Sequence, residues 1–271
     1  MPNEVILSHL WAEPYAGHER ISMSETNRKG QISKASWDFG RDSGDNEQWI
    51  HCACWLACFD ILGFKKMVSF DSSGSMQALY IMRYYEETLK HLSTVCEKHK
   101  AGDIDYCWLS DTFVMFTCDD SARAYTVVQF AAKYFMDKCL STCIPLRGAI
   151  SVGPFTRSRD NRAFMGKAFI EAFQYAEDQD WIGLILTPTA IKMIESYGLN
   201  LIYDFVASDR IPMRKYNPKE VRAYRFQNGA ANYPCPLLPG LRSMRLQSEE
   251  VYRSKYERTE KFIEEHYSWL E

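Results

Sequence analysis

An apolar run at residues 50–60 constrains the fold more than any other feature of this sequence. Apart from His51 and the closing Asp60 it holds only apolar side chains, a length and composition that favour a strand buried on both faces. Gly63 ends this strand, and from residues 71–72 to about residue 100 apolar side chains recur at helical spacing. The sequence therefore predicts a buried strand followed by a long amphipathic helix.

The next segments repeat the alternation of strands and helices. Apolar runs at residues 104–109 and 112–118 are separated only by Ser110 and Asp111, which predicts a tight hairpin. A helix capped by Ser121 and a strand at residues 146–152 follow. The order strand, helix, strand, strand, helix, strand predicts an α+β fold of the ferredoxin-like βαββαβ type.

Further elements are expected towards the C-terminus. Residues 166–178 and 188–197 are predicted helices, and residues 182–186, 201–205 and 221–226 are predicted strands. A proline-rich joint at residues 234–239 leads to a charged helix from about residue 247 to residue 270, which we expect to brace a dimer. The first 47 residues show no period of 2 or 3.6 and are interpreted as an extension on the surface.

Composition excludes several classes of protein. The chain has 32 Lys and Arg against 35 Asp and Glu, a formal charge of −3, and no long block of one sign, which argues against a nucleic-acid-binding protein. Its longest apolar stretch, residues 52–64, is shorter than the roughly 20 residues of a membrane helix. Residues 1–17 lack the pattern of a secretion signal, and the nine cysteines lie mostly in apolar segments. We expect a cytoplasmic protein with reduced thiols and no membrane contact.

The predicted topology brings three charged residues to one end of the sheet. The first strand should lie between the third and fourth, both antiparallel to it. Asp60 ends the first strand, Asp111 opens the third, and Arg147 opens the fourth. Two adjacent carboxylates repel unless a cation lies between them, and their hard oxygen atoms suit Mg²⁺ or Mn²⁺. An arginine beside them and the backbone N–H groups after Asp60 would suit the phosphates of a nucleoside triphosphate.

Three motifs in this order resemble a known family. Residues 59–64, Phe-Asp-Ile-Leu-Gly-Phe, resemble the first metal motif of class III nucleotidyl cyclases, and residues 109–114, Leu-Ser-Asp-Thr-Phe-Val, resemble the second, with Ser110 where glycine is usual. Residues 147–153, Arg-Gly-Ala-Ile-Ser-Val-Gly, resemble the phosphate-binding strand that follows. The resemblance covers about residues 50–227, so a catalytic domain is expected at residues 48–230, with residues 231–271 as a C-terminal linker and helix.

The resemblance implies a role for each matching residue. Asp60 and Asp111 would hold two divalent metal ions, Mn²⁺ or Mg²⁺, with the carbonyl of Ile61 as a further ligand. Gly63, Phe64 and Arg147 would bind the triphosphate, and a late basic loop with Arg214, Lys215 and Lys219 would reach its terminal phosphate; we expect Lys215 in this role. Domains of this family form homodimers whose active sites lie between the two chains.

The chain also departs from the family. Cys107 and Ala163 stand where purine cyclases carry their base-recognition residues, and neither purine pattern is present. Ile170 and Gln174 replace the asparagine and arginine that stabilise the transition state, so Lys167 and Glu171 are the nearest candidates for catalysis. A metal pair without a purine pattern resembles the pyrimidine cyclases of bacterial Pycsar antiphage systems, in which an aromatic residue narrows the base pocket. Three tryptophans are candidates for that role: Trp49, Trp55 and Trp108.

That resemblance predicts conversion of UTP, ahead of CTP, to a 3′,5′-cyclic mononucleotide and pyrophosphate, with the product read by a separate cyclic-nucleotide-binding effector. Two other functions compete with it: an adenylate or guanylate cyclase, and a degenerate cyclase-like domain that senses nucleotide without turnover. Each residue also has an ordinary structural interpretation. Asp60 can cap a helix, Asp111 can belong to a simple turn, and Lys167 with Glu171 can form a helix ion pair. Arg147 alone is more often a salt-bridge partner.

Overall fold

The computed structural model describes residues 49–64, 83, 86–87, 89–90, 104–159, 161–199, 204–226 and 237–267. Residues 83, 86–87 and 89–90 are helical and fall within the predicted helix at residues 71–100, the rest of which lies outside the described residues. The N-terminal extension and residues 234–236 of the predicted joint at residues 234–239 also lie outside them. Among the described residues, no helix combines the length and apolar character needed to cross a bilayer.

Eight strands in the described part of the chain form one sheet in the order β2-β3-β1-β4-β6-β8-β7, with β5 paired to β4. Their bounds are β1 (Trp49–Ile61), β2 (Ile104–Leu109), β3 (Thr112–Thr117), β4 (Leu146–Ser158), β5 (Phe164–Gly166), β6 (Leu184–Leu186), β7 (Phe205–Val206) and β8 (Arg222–Tyr224). The helices are α1 (Ala122–Ser141), α2 (Lys167–Asp178), α3 (Pro188–Ser196), α4 (Leu237–Gln247) and α5 (Glu250–Tyr267). The predicted α+β fold with its ferredoxin-like order is confirmed.

Strand β1 lies between β3 and β4, and both neighbours run antiparallel to it, as predicted. Its residues alternate between two cores. One core, which α1 covers, holds the side chains of Trp55, Ala57 and Phe59, while Leu56 and Cys58 pack with α2 on the other face. Helices on both faces explain why this strand is apolar along most of its length.

Several predicted boundaries differ from the structure, two of them by more than a few residues. Strand β4 continues to Ser158 instead of ending at residue 152, because it pairs with β1 along its whole length and also forms a hairpin with β5. Helix α5 corresponds to the predicted C-terminal helix, but α4 lies before it, at residues 237–247, where the sequence predicted the end of a joint and no helix. The proline-rich joint concealed α4, since Pro239 lies in the first turn of the helix, where a proline removes no intrahelical hydrogen bond.

Candidate active site

The strand register brings Asp60, Asp111 and Arg147 together at one end of the sheet. Asp60 pairs directly with Arg147 of β4 on one side and with Thr112 of β3 on the other. Asp111 lies in the turn before Thr112, and its carbonyl accepts a hydrogen bond from the Ile61 N–H at 3.1 Å. Both carboxylates and the guanidinium line one cleft of about 430 Å³.

Arg147 is fixed at the wall of this cleft. Its Nε and Nη2 lie 2.7 and 2.6 Å from Oδ2 of Asp60. Its Nη1 donates to two backbone carbonyls at the end of α2, that of Glu177 at 2.5 Å and that of Gln179 at 3.1 Å. Through these contacts the buried Arg147 positions the Asp60 carboxylate. Arg147 therefore has the salt-bridge role that was its ordinary structural interpretation from the sequence.

The environment of Asp60 disfavours a negative charge. Burial is the main reason that the pKa of its carboxyl group is raised, and the nearby carboxylates of Asp111 and Glu177 raise it further. Arg147 acts in the opposite direction without cancelling the effect of burial. A cation beside Asp60 and Asp111 would therefore stabilise their ionised forms.

The donor set fits hard divalent cations. Two carboxylates and the Ile61 carbonyl would supply oxygen ligands, and Oδ1 of Asp60 accepts no hydrogen bond from the described residues, since both Arg147 donors contact Oδ2. Within the described parts of the chain, no group of three His, Cys, Asp or Glu side chains is placed to hold a metal. Mg²⁺ ordinarily takes only one or two carboxylates and completes its shell with water and substrate phosphate, so these residues are sufficient.

The segment after Asp60 turns sharply along the floor of the cleft. Leu62 donates its N–H to the Pro145 carbonyl at 3.0 Å, and Gly63 has a φ of +79°, a conformation that other residues rarely adopt. Ile61, Gly63 and Phe64, all predicted site residues, line the cleft. The positive φ is therefore the reason for a glycine at this position. Lack of space is not, because an added Cβ would meet no atom within 4 Å.

Three other predicted residues do not line the cleft. Lys215 is exposed, and the basic side chain of its loop that does reach the cleft is Arg214. Glu171 accepts hydrogen bonds from the N–H and hydroxyl of Thr189 at the start of α3 and forms no ion pair with Lys167, which is exposed at the start of α2. Lys167 and Glu171 therefore contribute nothing to the cleft of their own chain.

The loop that carries Arg214 is held by one buried carboxylate. Asp178, at the end of α2, accepts hydrogen bonds from the N–H groups of Arg214, Lys215 and Tyr216 at 2.9–3.1 Å. Its own carbonyl accepts a further bond from the Arg214 N–H at 3.0 Å. These bonds fix the loop beside α2.

None of the candidate tryptophans lines the cleft. Trp55 is fully buried and donates its indole N–H to the Ser121 carbonyl at 3.0 Å, and Trp49 lies at the far end of β1 from Asp60. Trp108 packs on the face of the sheet opposite Cys58 and Cys107 and donates to the Ser110 carbonyl at 2.5 Å. The aromatic side chains that do line the cleft are Phe64, Phe173 and Tyr252.

Sequence reasoning missed four residues of the cleft: Phe173, Glu177, Tyr252 and Lys255. The first two follow from the α2 pattern, since Phe173 and Glu177 are four apart and share a helical face. Tyr252 and Lys255 belong to α5, which the sequence predicted only as a charged helix that braces a dimer. No local signal distinguishes a charged helix in water from one that borders a charged cleft.

Several solved structures that resemble this fold are nucleotidyl cyclase domains. The catalytic core of a rhodopsin-guanylyl cyclase with converted specificity, in complex with ATPalphaS, is 14% identical, with 55% of this chain and 84% of that chain covered and a TM-score of 0.42. The adenylyl cyclase CyaB from P. aeruginosa is 13% identical, with 69% and 100% covered and a TM-score of 0.43. A class III adenylyl cyclase-like ATP-binding protein from Pseudomonas aeruginosa is also 13% identical, with 80% and 43% covered and a TM-score of 0.42.

No protein-family model matches the chain, and no curated protein matches it significantly. With identities of 13–14% and TM-scores of 0.42–0.43, the structural similarities assign neither an activity nor a substrate to this chain. Its function must be inferred from the residues of the cleft.

Proposed function

We propose that this protein is a metal-dependent nucleotidyl cyclase that converts UTP, with CTP as the less favoured alternative substrate, to the 3′,5′-cyclic mononucleotide and pyrophosphate. The observation that carries the proposal is the placement of Asp60 and Asp111 in one cleft with the turn at residues 61–64. Carboxylates beside a backbone turn and a cationic loop suit a triphosphate with its divalent cations.

In this proposal each group in the cleft has a distinct task. Asp60, Asp111 and the Ile61 carbonyl hold two divalent cations, which when bound lower the pKa of the attacking 3′ hydroxyl and neutralise the leaving oxygens. Oδ1 of Asp60 is the atom available to take the proton of that hydroxyl, and Arg147 keeps the carboxylate oriented. Arg214 takes the terminal-phosphate role first expected of Lys215, because it is the side chain that lines the cleft.

The proposed preference for a pyrimidine is based on the absence of the residues with which purine cyclases recognise the base. Cys107, at a position where purine cyclases carry a base-recognition residue, is buried in the core, and its thiol has a pKa raised to about 12, chiefly by burial. Ala163 is an exposed residue beside the β4–β5 hairpin and offers no polar side-chain group. An adenylate or guanylate cyclase is the alternative if other residues read a purine.

We also propose that two copies of the chain complete each site. Three large apolar side chains on α2 and the preceding strand are exposed in the single chain: Met165 is 66% exposed, Ile170 52% and Phe173 37%. Burying such a patch against a second copy would bring Lys167 and Glu171 towards the partner's cleft. This is the route by which residues outside their own cleft can act in catalysis.

One arrangement favours a second candidate function, nucleotide sensing without turnover. Ile170 and Gln174 occupy the positions of the expected transition-state asparagine and arginine, and Gln174 accepts a hydrogen bond from the Tyr216 hydroxyl at 3.3 Å. A domain with this arrangement would bind a triphosphate and release no pyrophosphate.

For the cyclase, we propose a cytoplasmic role in antiphage defence, with the product read by a separate cyclic-nucleotide-binding effector.

The decisive experiment is incubation of the purified protein with ATP, GTP, CTP or UTP and Mn²⁺, followed by mass detection of the products. We expect cyclic UMP, or cyclic CMP, and its loss in Asp60→Ala and Asp111→Ala. Asp209→Ala, which removes an exposed carboxylate outside the cleft, is the matched control and should retain activity. A cyclic purine would support the alternative cyclase, and triphosphate binding without any product would support the sensor.

A further inference from the structure

The start of α5 forms one wall of the cleft. Tyr252 and Lys255 line it together with the turn that follows Asp60. The Lys255 side chain is only 12% exposed, although lysines almost never lie buried without a partner. A helix that the sequence predicted to brace a dimer therefore lines the cleft.

Helix α5 is anchored to the segment that follows α2. The Thr259 hydroxyl donates to the Ile182 carbonyl at 3.1 Å and accepts from the Ile182 N–H at 2.9 Å. The Phe262 ring packs edge-on against Trp181, with 4.6 Å between ring centroids. These contacts are all buried, and they fix the position of Lys255 relative to the cleft.

The partner of Lys255 is shared with another cation. Its Nζ lies 3.3 Å from Oδ1 of Asp180, while Arg258 contacts Oδ2 and the carbonyl of the same residue. Asp180 therefore keeps a cationic partner when the Lys255 ammonium turns into the cleft. The contact to Lys255 is the one that a ligand can replace at low cost.

The cations around the cleft repel one another. Burial lowers the pKa of Lys255, and the positive charges of Arg147 and Arg214 lower it further, against the opposing effect of Asp180. Arg214 forms no ion pair with any described residue, and Arg147 is committed to Asp60. An anion with several charges, placed between Arg214 and Lys255, would relieve this repulsion.

We propose that Lys255 binds the polyphosphate of the nucleotide, so that the C-terminal helix of each chain completes the cleft of the same chain. The inference rests on the proposed function for the identity of the nucleotide. It assigns to α5 a role in substrate binding, in place of the dimer-bracing role that its sequence suggested. The ammonium exchanges its contact with Asp180 for a phosphate oxygen, and Arg258 continues to hold Asp180.

The test measures binding of inorganic tripolyphosphate to the full chain by titration calorimetry, without turnover. Lys255→Ala should weaken binding about tenfold, the effect of losing one charge-assisted hydrogen bond. Asp180→Asn should strengthen it, because Lys255 is released from its ion pair and a nearby negative charge is removed. Lys261→Ala, an exposed lysine on α5 away from the cleft, should bind as the unmodified protein does.

Two outcomes would overturn the inference. Unchanged affinity in Lys255→Ala would show that the ammonium does not contact phosphate. Equal losses of affinity and of thermal midpoint in Lys255→Ala and Asp180→Asn would show that the pair only docks α5. Failure of the proposed function has a different signature, since tripolyphosphate would bind in a Lys255-dependent way while no nucleotide is cyclised.

Discussion

Asp60 and Arg147 lie directly opposite each other on β1 and β4, and two nitrogens of the arginine contact the same carboxyl oxygen. The pair is largely buried, with 19% of the Asp60 side chain and 10% of the Arg147 side chain exposed. Two nitrogens on one oxygen leave the second oxygen of Asp60 for another partner. The arginine thus orients a catalytic candidate without occupying all of its ligand positions.

Removing this arginine should destabilise the fold in a pH-dependent way. Arg147→Ala leaves a buried carboxylate unpaired, and we expect the free energy of unfolding at pH 7 to fall by about 2–3 kcal/mol. The variant raises the folded-state pKa of Asp60 further above its unfolded value, so the part of the loss that comes from the Asp60 charge is full above the folded pKa and absent at low pH. The part that comes from the unpaired Glu177 and Gln179 carbonyls remains at both pH values, so the loss should be larger at pH 7 than at pH 4.

Urea denaturation at pH 7 and pH 4 measures this difference, with Lys192→Ala on the exposed face of α3 as the control. The same loss at both pH values would contradict the assigned role of the ion pair.

Ser110 offers a stabilising substitution beside the site. Its φ is +58°, in the left-handed region where a side chain costs about 1–2 kcal/mol, and its side chain is exposed. After allowing for the greater unfolded-state freedom of glycine, we expect Ser110→Gly to raise the free energy of unfolding by about 0.5–1 kcal/mol.

Thermal denaturation of Ser110→Gly and Ser110→Ala in parallel separates two effects on stability, that of relieving the positive φ and that of removing the hydroxyl group. Alanine keeps the unfavourable φ and should bring no gain. Equal midpoints for the two variants would show that strain at this turn is negligible.

The buried carboxyl group of Asp137 should make stability fall as pH rises. Its pKa is raised to about 7, chiefly by burial, while the Tyr224 hydroxyl donates to Oδ2 at 2.9 Å and Oδ1 has no partner among the described residues. A folded-state pKa above the unfolded value favours the fold at low pH, so this contribution is lost progressively between about pH 4 and pH 7.

Asp137→Asn keeps an acceptor for Tyr224 without a charge, and at pH 8 we expect it to be more stable than the unmodified protein by on the order of 2 kcal/mol. At pH 4 the two proteins should differ little. Thermal midpoints across this range provide the measurement, and a variant that is less stable at pH 8 would contradict the assignment.

Complementation between inactive variants tests whether each site spans two chains. Asp60→Ala removes the carboxylate that we propose as a metal ligand, and Glu171→Ala removes a candidate that lies outside its own cleft. If Glu171 acts in the partner's site, a mixture of the two inactive variants should recover roughly a quarter of the activity, through mixed dimers with one intact site. Glu171→Ala with full activity alone, or a mixture without recovery, would count against a shared site.

The strands and their convergence could be predicted because both depend on local signals. The apolar run that became β1 and the hairpin around Asp111 fix the topology, and the topology places Asp60 opposite Arg147. The choice between Arg214 and Lys215 could not be predicted, because it is made by Asp178, which binds the loop from 36 to 38 positions earlier in the chain. Likewise, only tertiary docking brings Lys255 to the cleft.

The hydrogen bonds from three successive backbone N–H groups to Asp178 affect how a ligand exchanges at Arg214. These bonds order the backbone at Arg214 before a ligand binds. Binding therefore costs the conformational entropy of one side chain, about 1–2 kcal/mol, and no additional entropy for the backbone of three residues. Release likewise needs no unfolding of the loop. If Arg214 binds a phosphate as proposed, the only conformational change that exchange requires at this edge of the cleft is a side-chain rotation.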